Sequence, residues 1–229
     1  TLERLGASRA KTGKFPVIYD RRVAASLVSS VAGAINGASV ARGTSFFKDR
    51  LGEKIAADGL NFIDDPLRSR GMGSRPFDAE GCPVQTRKMI EDGVLNGWFL
   101  DLASAAKLGL TTMGNAKRSL GSAPNPGSSN FYLENGEIDL DDLIADIEDG
   151  FFVTELIGSS VDMITGDYSR GAGGFWISNG KIAQPISEAT IAGNLKDMLL
   201  AVTRANDIDM RDSIASPSLR VDGMTVAGS

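Results

Sequence analysis

The chain has 229 residues, with 24 basic and 29 acidic side chains and a formal net charge of −5. That acidic balance, with no basic block, works against non-specific binding to nucleic acid or to anionic membranes. There is no histidine and one cysteine, Cys82, which excludes Ser-His-Asp and Cys-His catalysis, His-ligated metals and an intrachain disulfide. Chemistry in the chain itself would fall to carboxylates, Lys, Tyr, Ser or Cys82. A chain this long buries roughly 70–75% of its unfolded surface, so its core needs no disulfide or metal.

The opening TLERLGASRAKTGKFPV lacks the apolar core of a signal peptide, and Thr1 reads as a start inside a longer protein. FPVIYD reads as a strand, with Asp20 the N-cap of a helix running to about Ala38. Residues 23–41 form a low-charge run, but Ser26, Ser29, Ser30, Asn36 and Ser39 make it unsuited to crossing a membrane. Gly33 and Gly37 in that run point to a soluble helix packed closely against a sheet. TSFFKDRLGEKI is a second helix or an irregular segment. LNFIDDP is a strand halted by Pro66, and LRSRGMGSRPFDAEGCP has no period and is a loop.

Four dipeptides then carry a hairpin signature: Asp92-Gly93, Asn135-Gly136, Asn179-Gly180 and Asp222-Gly223. Each suits the type I′ turn that matches strand twist. Short helices fill the gaps: DLASAAKLG closing at Gly109, DLDDLIADIEDG ending at Gly150, and NLKDMLLAVTRAND capped by Asn194. Residues 121–130 read as a flexible polar loop. Without the strand–helix alternation of a Rossmann sheet, the chain reads as one α+β domain with a large antiparallel component.

GDYSRGAGGFWISNGKIAQP is glycine-rich, but no helix follows its glycines as a dinucleotide fingerprint requires. It reads instead as a hairpin strand, bulged and twisted, whose glycines admit a neighbouring backbone or an extended peptide. The acidic pairs Asp64-Asp65, Asp78 with Glu80, and Asp141-Asp142 are weighed as metal or acid–base sites, and structural roles are favoured for each. Arg68, Arg70 and Arg75 could grip a carboxylate or phosphate, or serve as surface pairs. Cys82 has no Cys or His partner and is read as unreactive.

The segments VTELIGSSVDMITGDYSRGAGGFWISNGKIAQPISEATIAGNLKDML, RPFDAEGCPVQTRKMIEDGVLNGWFLD and ASAAKLGLTTMGNA resemble, in order, the C-terminal half of the TldD/PmbA family. The resemblance runs from Phe15 to Gly228. It implies a C-terminal domain over 15–229, with 1–14 a segment from an upstream domain. The expected fold is a largely antiparallel, barrel-like sheet core with several hairpins, an N-terminal helix rich in small residues and peripheral helices. Within the family, TldD-type subunits carry a zinc-binding HExxxH helix and a late cysteine, an arrangement suited to water activation. PmbA-type subunits, also called TldE, lack these ligands. The two pair as a cytosolic protease acting on small or unfolded peptides.

In this sequence Ser29, Ser30 and Ala34 stand where the motif has His, Glu and His, and DMRDSIASPSLRV has no cysteine. The resemblance therefore implies a non-catalytic PmbA-type chain that binds no cofactor, with zinc on a TldD-type partner. It implies a cytoplasmic location and a heterodimer or larger assembly. A homodimer of the chain alone stays open, and neither nucleic acid nor membrane is an expected partner. Residues Thr165, Gly166, Asp167, Tyr168, Ser169, Arg170, Gly171, Gly173, Gly174 and Phe175 are the candidates for a peptide cleft or partner interface. Arg75, Asp78 and Glu80 are secondary candidates. The alternatives are a self-contained metallopeptidase using non-His ligands, and a regulatory module like the gyrase modulator for which the family was once named.

Overall fold

A computed structural model describes residues 6–158 and 161–228, and its organising feature is a sheet that closes on itself. Strands β1 (Gly13–Tyr19), β8 (Asp149–Ile157), β9 (Asp167–Ser178), β10 (Lys181–Asn194) and β13 (Leu219–Gly228) pair in that order, and β13 returns to pair with β1. Among the described residues of this ring the β1–β8 ladder is parallel and the other ladders are antiparallel. The short β11 (Val202–Arg204) adds to β13 outside the ring. The expected barrel-like, largely antiparallel core is the one observed.

A second sheet has the order β12 (Ile214–Ala215), β7 (Phe131–Leu133), β2 (Phe62–Asp64), β3 (Arg87–Glu91) and β4 (Val94–Leu95). Helix α1 (Arg21–Ala34) lies between the two sheets, α2 (Gly37–Arg42) follows it, and α3 (Leu102–Leu108) packs on α2. A ribbon of β5 (Ala116–Lys117) and β6 (Asn125–Pro126) flanks the second sheet, and α4 (Leu140–Ile144) and α5 (Leu195–Ala201) sit beside the barrel.

Period-two alternation explains the barrel. Val17 and Tyr19 of β1 and Phe151 and Val153 of β8 join the main core, while Ile18 and Phe152 between them point outward. The outward set is covered by Ile144 and Ile147 and makes a smaller core with Ile177. Trp176 is buried, packs edge-on against Phe15 at 5.0 Å, and donates its indole N–H to Asp149 at 2.7 Å. In α1 the buried positions Ala24, Leu27, Val28, Val31 and Ala34 recur at three- and four-residue spacing, which turns one stripe to the core.

Local signals worked wherever the decision was local. Asp20 accepts from the Arg22 amide and caps α1, Asn194 caps α5, and Asp101 forms a capping box with Ser104 on α3, which ends at left-handed Gly109. Asp92-Gly93 and Asn179-Gly180 have positive φ at both residues and turn the β3–β4 and β9–β10 hairpins. Residues 44–56 form turns rather than a second helix.

Five expectations are corrected. The first helix stops at Ala34 rather than Ala38, because Asn36 caps the amides of Ala38 and Ser39 and starts α2. The Gly37 amide meanwhile goes to the Phe99 carbonyl at 2.8 Å, and a Cβ on Gly37 would lie 2.5 Å from that oxygen. Asn135-Gly136 makes no hairpin: Gly136 lies against the Arg204 backbone, where a Cβ would come within 2.1 Å of the carbonyl oxygen. Asp222-Gly223 is a bulge inside the continuous strand β13, opposite Phe15–Val17. The predicted helices ending at Gly150 and Asp207 are shorter, because 149–157 and 202–204 are taken by β8 and β11. Residues 121–130 are not simply a flexible loop, since they include β6 and the buried Ser128, Ser129 and Asn130.

Candidate functional site

Strand β9 carries most of the residues expected at a cleft. Asp167 accepts from the Thr165 hydroxyl at 2.8 Å and from the Asn194 amide at 3.0 Å, and these bonds hold its carboxyl below the usual range. Gly166 has φ +88°, and its carbonyl accepts from the Leu195 amide at 2.7 Å. This knot ties the loop before β9 to the start of α5. Residues Gly171 to Ser178 are laddered to β8 on one side and β10 on the other. No strand edge is left there for an added peptide. A Cβ on Gly174 would meet the Phe152 carbonyl at 1.9 Å, so its glycine serves backbone approach. Phe175 packs toward the outer core and Ser169 is exposed.

Tyr168 and Arg170 share the inward face of β9. The Tyr168 hydroxyl is buried without a hydrogen bond, as is the Nε of Arg170. Burial raises the Tyr168 phenol, and it raises Tyr19 well above the ordinary value, with the neighbouring Tyr168 adding to the effect. Tyr19 donates to the Met224 sulfur at 3.4 Å, and Arg170 donates to the Gly158 carbonyl.

The second candidate region is α1. Segment 209–216 lies beside it, although the two are far apart in sequence, and they border a cleft of about 370 Å³ lined by Arg21, Arg22, Ala25, Asp209, Arg211 and Ser216 among others. The fold thus brings the helix bearing Ser29, Ser30 and Ala34 next to the segment that lacks the late cysteine. The donors present do not fit zinc. Ser30 donates its hydroxyl to the Ser26 carbonyl at 2.9 Å, Ala34 is buried and has no donor atom, and Ser29 supplies a neutral hydroxyl. Among the described residues no three His, Cys, Asp or Glu side chains converge as a metal site.

The third region is built on β2 and the loop after it. Asp64 is buried and accepts from the Ser129 amide and hydroxyl at 2.6 and 2.9 Å and from Asn115 at 3.3 Å. Burial pushes its carboxyl up to about 6, against the hydrogen bonds of Ser129 and the charges of Arg75 and Lys117. Asp78 is buried too and accepts from the amides of Glu80, Cys82 and Ala116 at 2.9, 2.9 and 3.0 Å. Glu80 accepts from the Leu102 amide at 2.8 Å. These carboxylates organise backbone. Partial burial, then the charges of Asp78 and Glu80, push the Cys82 thiol up, away from the reactive thiolate. Arg75 differs: its Nε and Nη2 are buried with no acceptor.

Sequence reasoning missed a groove of about 670 Å³ that includes Leu51, Met89, Trp98, Leu100, Leu110 and Met113. It also missed the burial of Asp64, whose signal was the polar Ser128-Ser129-Asn130 set directly before apolar Phe131. Among the described residues no helix is long and apolar enough to cross a membrane.

Comparison with known proteins bears on all of these regions. Residues 12–228 match the family model described as the PmbA/TldA metallopeptidase C-terminal domain. The chain is 42% identical over 229 residues to Metalloprotease PmbA of Escherichia coli O157:H7, covering 100% of this chain and 49% of that protein. It therefore spans about half the length of the curated relatives it matches. A crystal structure from Bacteroides thetaiotaomicron, called a modulator of DNA gyrase, superposes with a TM-score of 0.89 at 34% identity, over 100% of this chain and 50% of that one. TldE from Thermococcus kodakarensis gives a TM-score of 0.89 at 26% identity, over 99% of this chain and 53% of that one.

Proposed function

Because the chain belongs to the PmbA/TldA metallopeptidase C-terminal domain family, we propose that it is the non-catalytic PmbA/TldE-type subunit of a zinc peptidase acting on small or unfolded peptides. The carrying observation is that α1, which bears Ser29, Ser30 and Ala34 at the positions the resemblance matches to the zinc motif, packs beside segment 209–216, which has no cysteine. Three neutral residues there neither retain a divalent metal nor lower the pKa of a bound water. In this reading zinc and bond cleavage belong to a histidine-bearing homologue, and this chain contributes peptide contacts and part of the enclosing wall.

The β9 candidates divide by exposure. The ladder on both sides of Gly171, Gly173 and Gly174 makes them scaffold, exposed Ser169 is a contact residue, and Arg170 is half-buried and donates to the Gly158 carbonyl. A cytoplasmic site of action follows from this reading of the complex.

Co-expression with the histidine-bearing homologue tests the proposal, with zinc content and peptide cleavage scored for the pair and for each subunit. The expected result is association, zinc in the partner, and no cleavage by this chain alone. Chelator-sensitive cleavage by this chain on its own would overturn it.

A further inference from the structure

Beside β5 and β6, a cleft of about 490 Å³ opens between Arg75, Phe77 and Asp78 on one side and Lys117, Arg118 and Ser122 on the other. We propose that it is a carboxylate-binding site, with Arg75 and Lys117 holding the anion and Arg118 at the rim. The ligand class is a peptide carboxylate, either the free C-terminus or an acidic side chain. This deepens the peptide-handling reading above and rests on it for the choice of peptide.

Arg75 carries the argument. Two of its guanidinium nitrogens are buried and unpartnered, and leaving such charged donors without an acceptor is costly. Asp64 offsets part of the Arg75 charge through space, but no hydrogen bond from either nearby acid reaches the two buried nitrogens. Asp78 uses its oxygens on three backbone amides, and Asp64 uses its own on Ser129 and Asn115. A planar guanidinium with free donors is shaped for a bidentate oxyanion.

Lys117 makes the need sharper. Its stem lies across Gly127, where a Cβ would sit 2.9 Å from it, while the residue as a whole stays exposed. Loss of surrounding water and then the charge of Arg75 hold the ammonium below its ordinary value, with Asp64 pulling the other way. Asp64 is the anion that both cations feel, and its oxygens already accept from Ser129 and Asn115.

Charge selects the ligand. Arg75, Lys117 and Arg118 face or line the cleft, and Asp64 and Asp78 lie at or behind it. One net positive charge remains, which a single carboxylate neutralises and a phosphate dianion would exceed. Phe77 is 59% exposed at the rim, giving the chain behind the carboxylate an apolar surface to lie on.

The test is titration of the full 229-residue chain with three probes: tetra-alanine as the free acid, the same peptide as its C-terminal amide, and an amidated peptide bearing one internal Glu. Inorganic phosphate serves as competitor. Binding of the free acid about tenfold or more above the amide identifies the terminus; recovery of binding by the Glu peptide identifies a side chain; tenfold is about 1.4 kcal/mol. Arg75→Gln and, on the exposed side of the cleft, Lys117→Gln each reduce binding about tenfold while the melting temperature of Lys117→Gln stays unchanged, and Lys117→Arg retains binding. Equal affinity for all three probes, phosphate binding in preference to the peptides, or undiminished binding by Lys117→Gln would overturn the site. Failure of the subunit reading is separable: a carboxylate preference without association to the histidine-bearing homologue leaves the site standing, and association without that preference removes it.

Discussion

The barrel and the flank that packs on the second sheet are stabilised by different means. In the barrel, alternate residues of long strands enter an apolar core, and the one buried polar group of Trp176 reaches Asp149 at its edge. In the flank, residues 62–86 and 109–130 have short strands and few apolar anchors, and their loops are gathered around Asp64 and Asp78. Apolar burial is non-directional and tolerates sequence change of similar volume. A buried carboxylate that serves three donors does not, because each orphaned amide costs about 1–3 kcal/mol. The barrel is therefore a scaffold, and the flank is where charge and shape are specified.

The largest expected effect breaks the barrel side of the contrast. Trp176→Ala removes a ring packed against Phe15 and Phe151 and should destabilise the fold by about 3–5 kcal/mol in urea unfolding. Next is the pH response of the flank. The Asp64 carboxyl is raised from 3.8 to about 6 in the fold, so the folded state holds a proton that the unfolded state has released. That contribution is complete below about pH 4 and is lost as pH rises through about 6. Against Asp64→Asn, the wild-type chain should lose about 3 kcal/mol across this window and then level off. A constant difference between the two profiles would show that Asp64 does not titrate there.

A smaller loss is expected for Asp78→Ala, about 2 kcal/mol, since three amides lose their acceptor and solvent can reach some of them. Hydrogen exchange should quicken at Glu80, Cys82 and Ala116 while the barrel amides stay protected. Least of all is Ser30→Ala, within about 0.5 kcal/mol, because the hydroxyl only returns to the Ser26 carbonyl of its own helix. A large loss there would mean that the hydroxyl serves something beyond α1.

The same division separates what was legible in the sequence from what was not. Asp20, Asp101, Asn194 and Asn179-Gly180 could be read because a cap or a two-residue turn is decided by neighbours a few positions away. Gly136 and Gly223 carry the same turn signature, yet one answers to the Arg204 backbone and the other to a register shift against β1. No local rule contains those partners. The absence of histidine was legible outright, as a count. The orphaned Arg75 was not, because its state depends on where Asp64, Asp78 and Lys117 arrive from distant segments. Arginines in a loop announce a charge, and only packing tells whether that charge is already answered.

The closure of the barrel has a kinetic side. Gly13 of β1 pairs with Val226 of β13, and Tyr19 pairs with Leu219, so the first strand of the ring waits for the last one to be synthesised. The β9–β10 hairpin can form early, since its turn is local. The seam cannot, and ladders between such distant segments are slow to assemble. On the ribosome β1 and its covering helix α1 would emerge long before their final neighbour, with an unpaired edge exposed. Joining β13 to β1 is thus the step that commits the molecule to its shape.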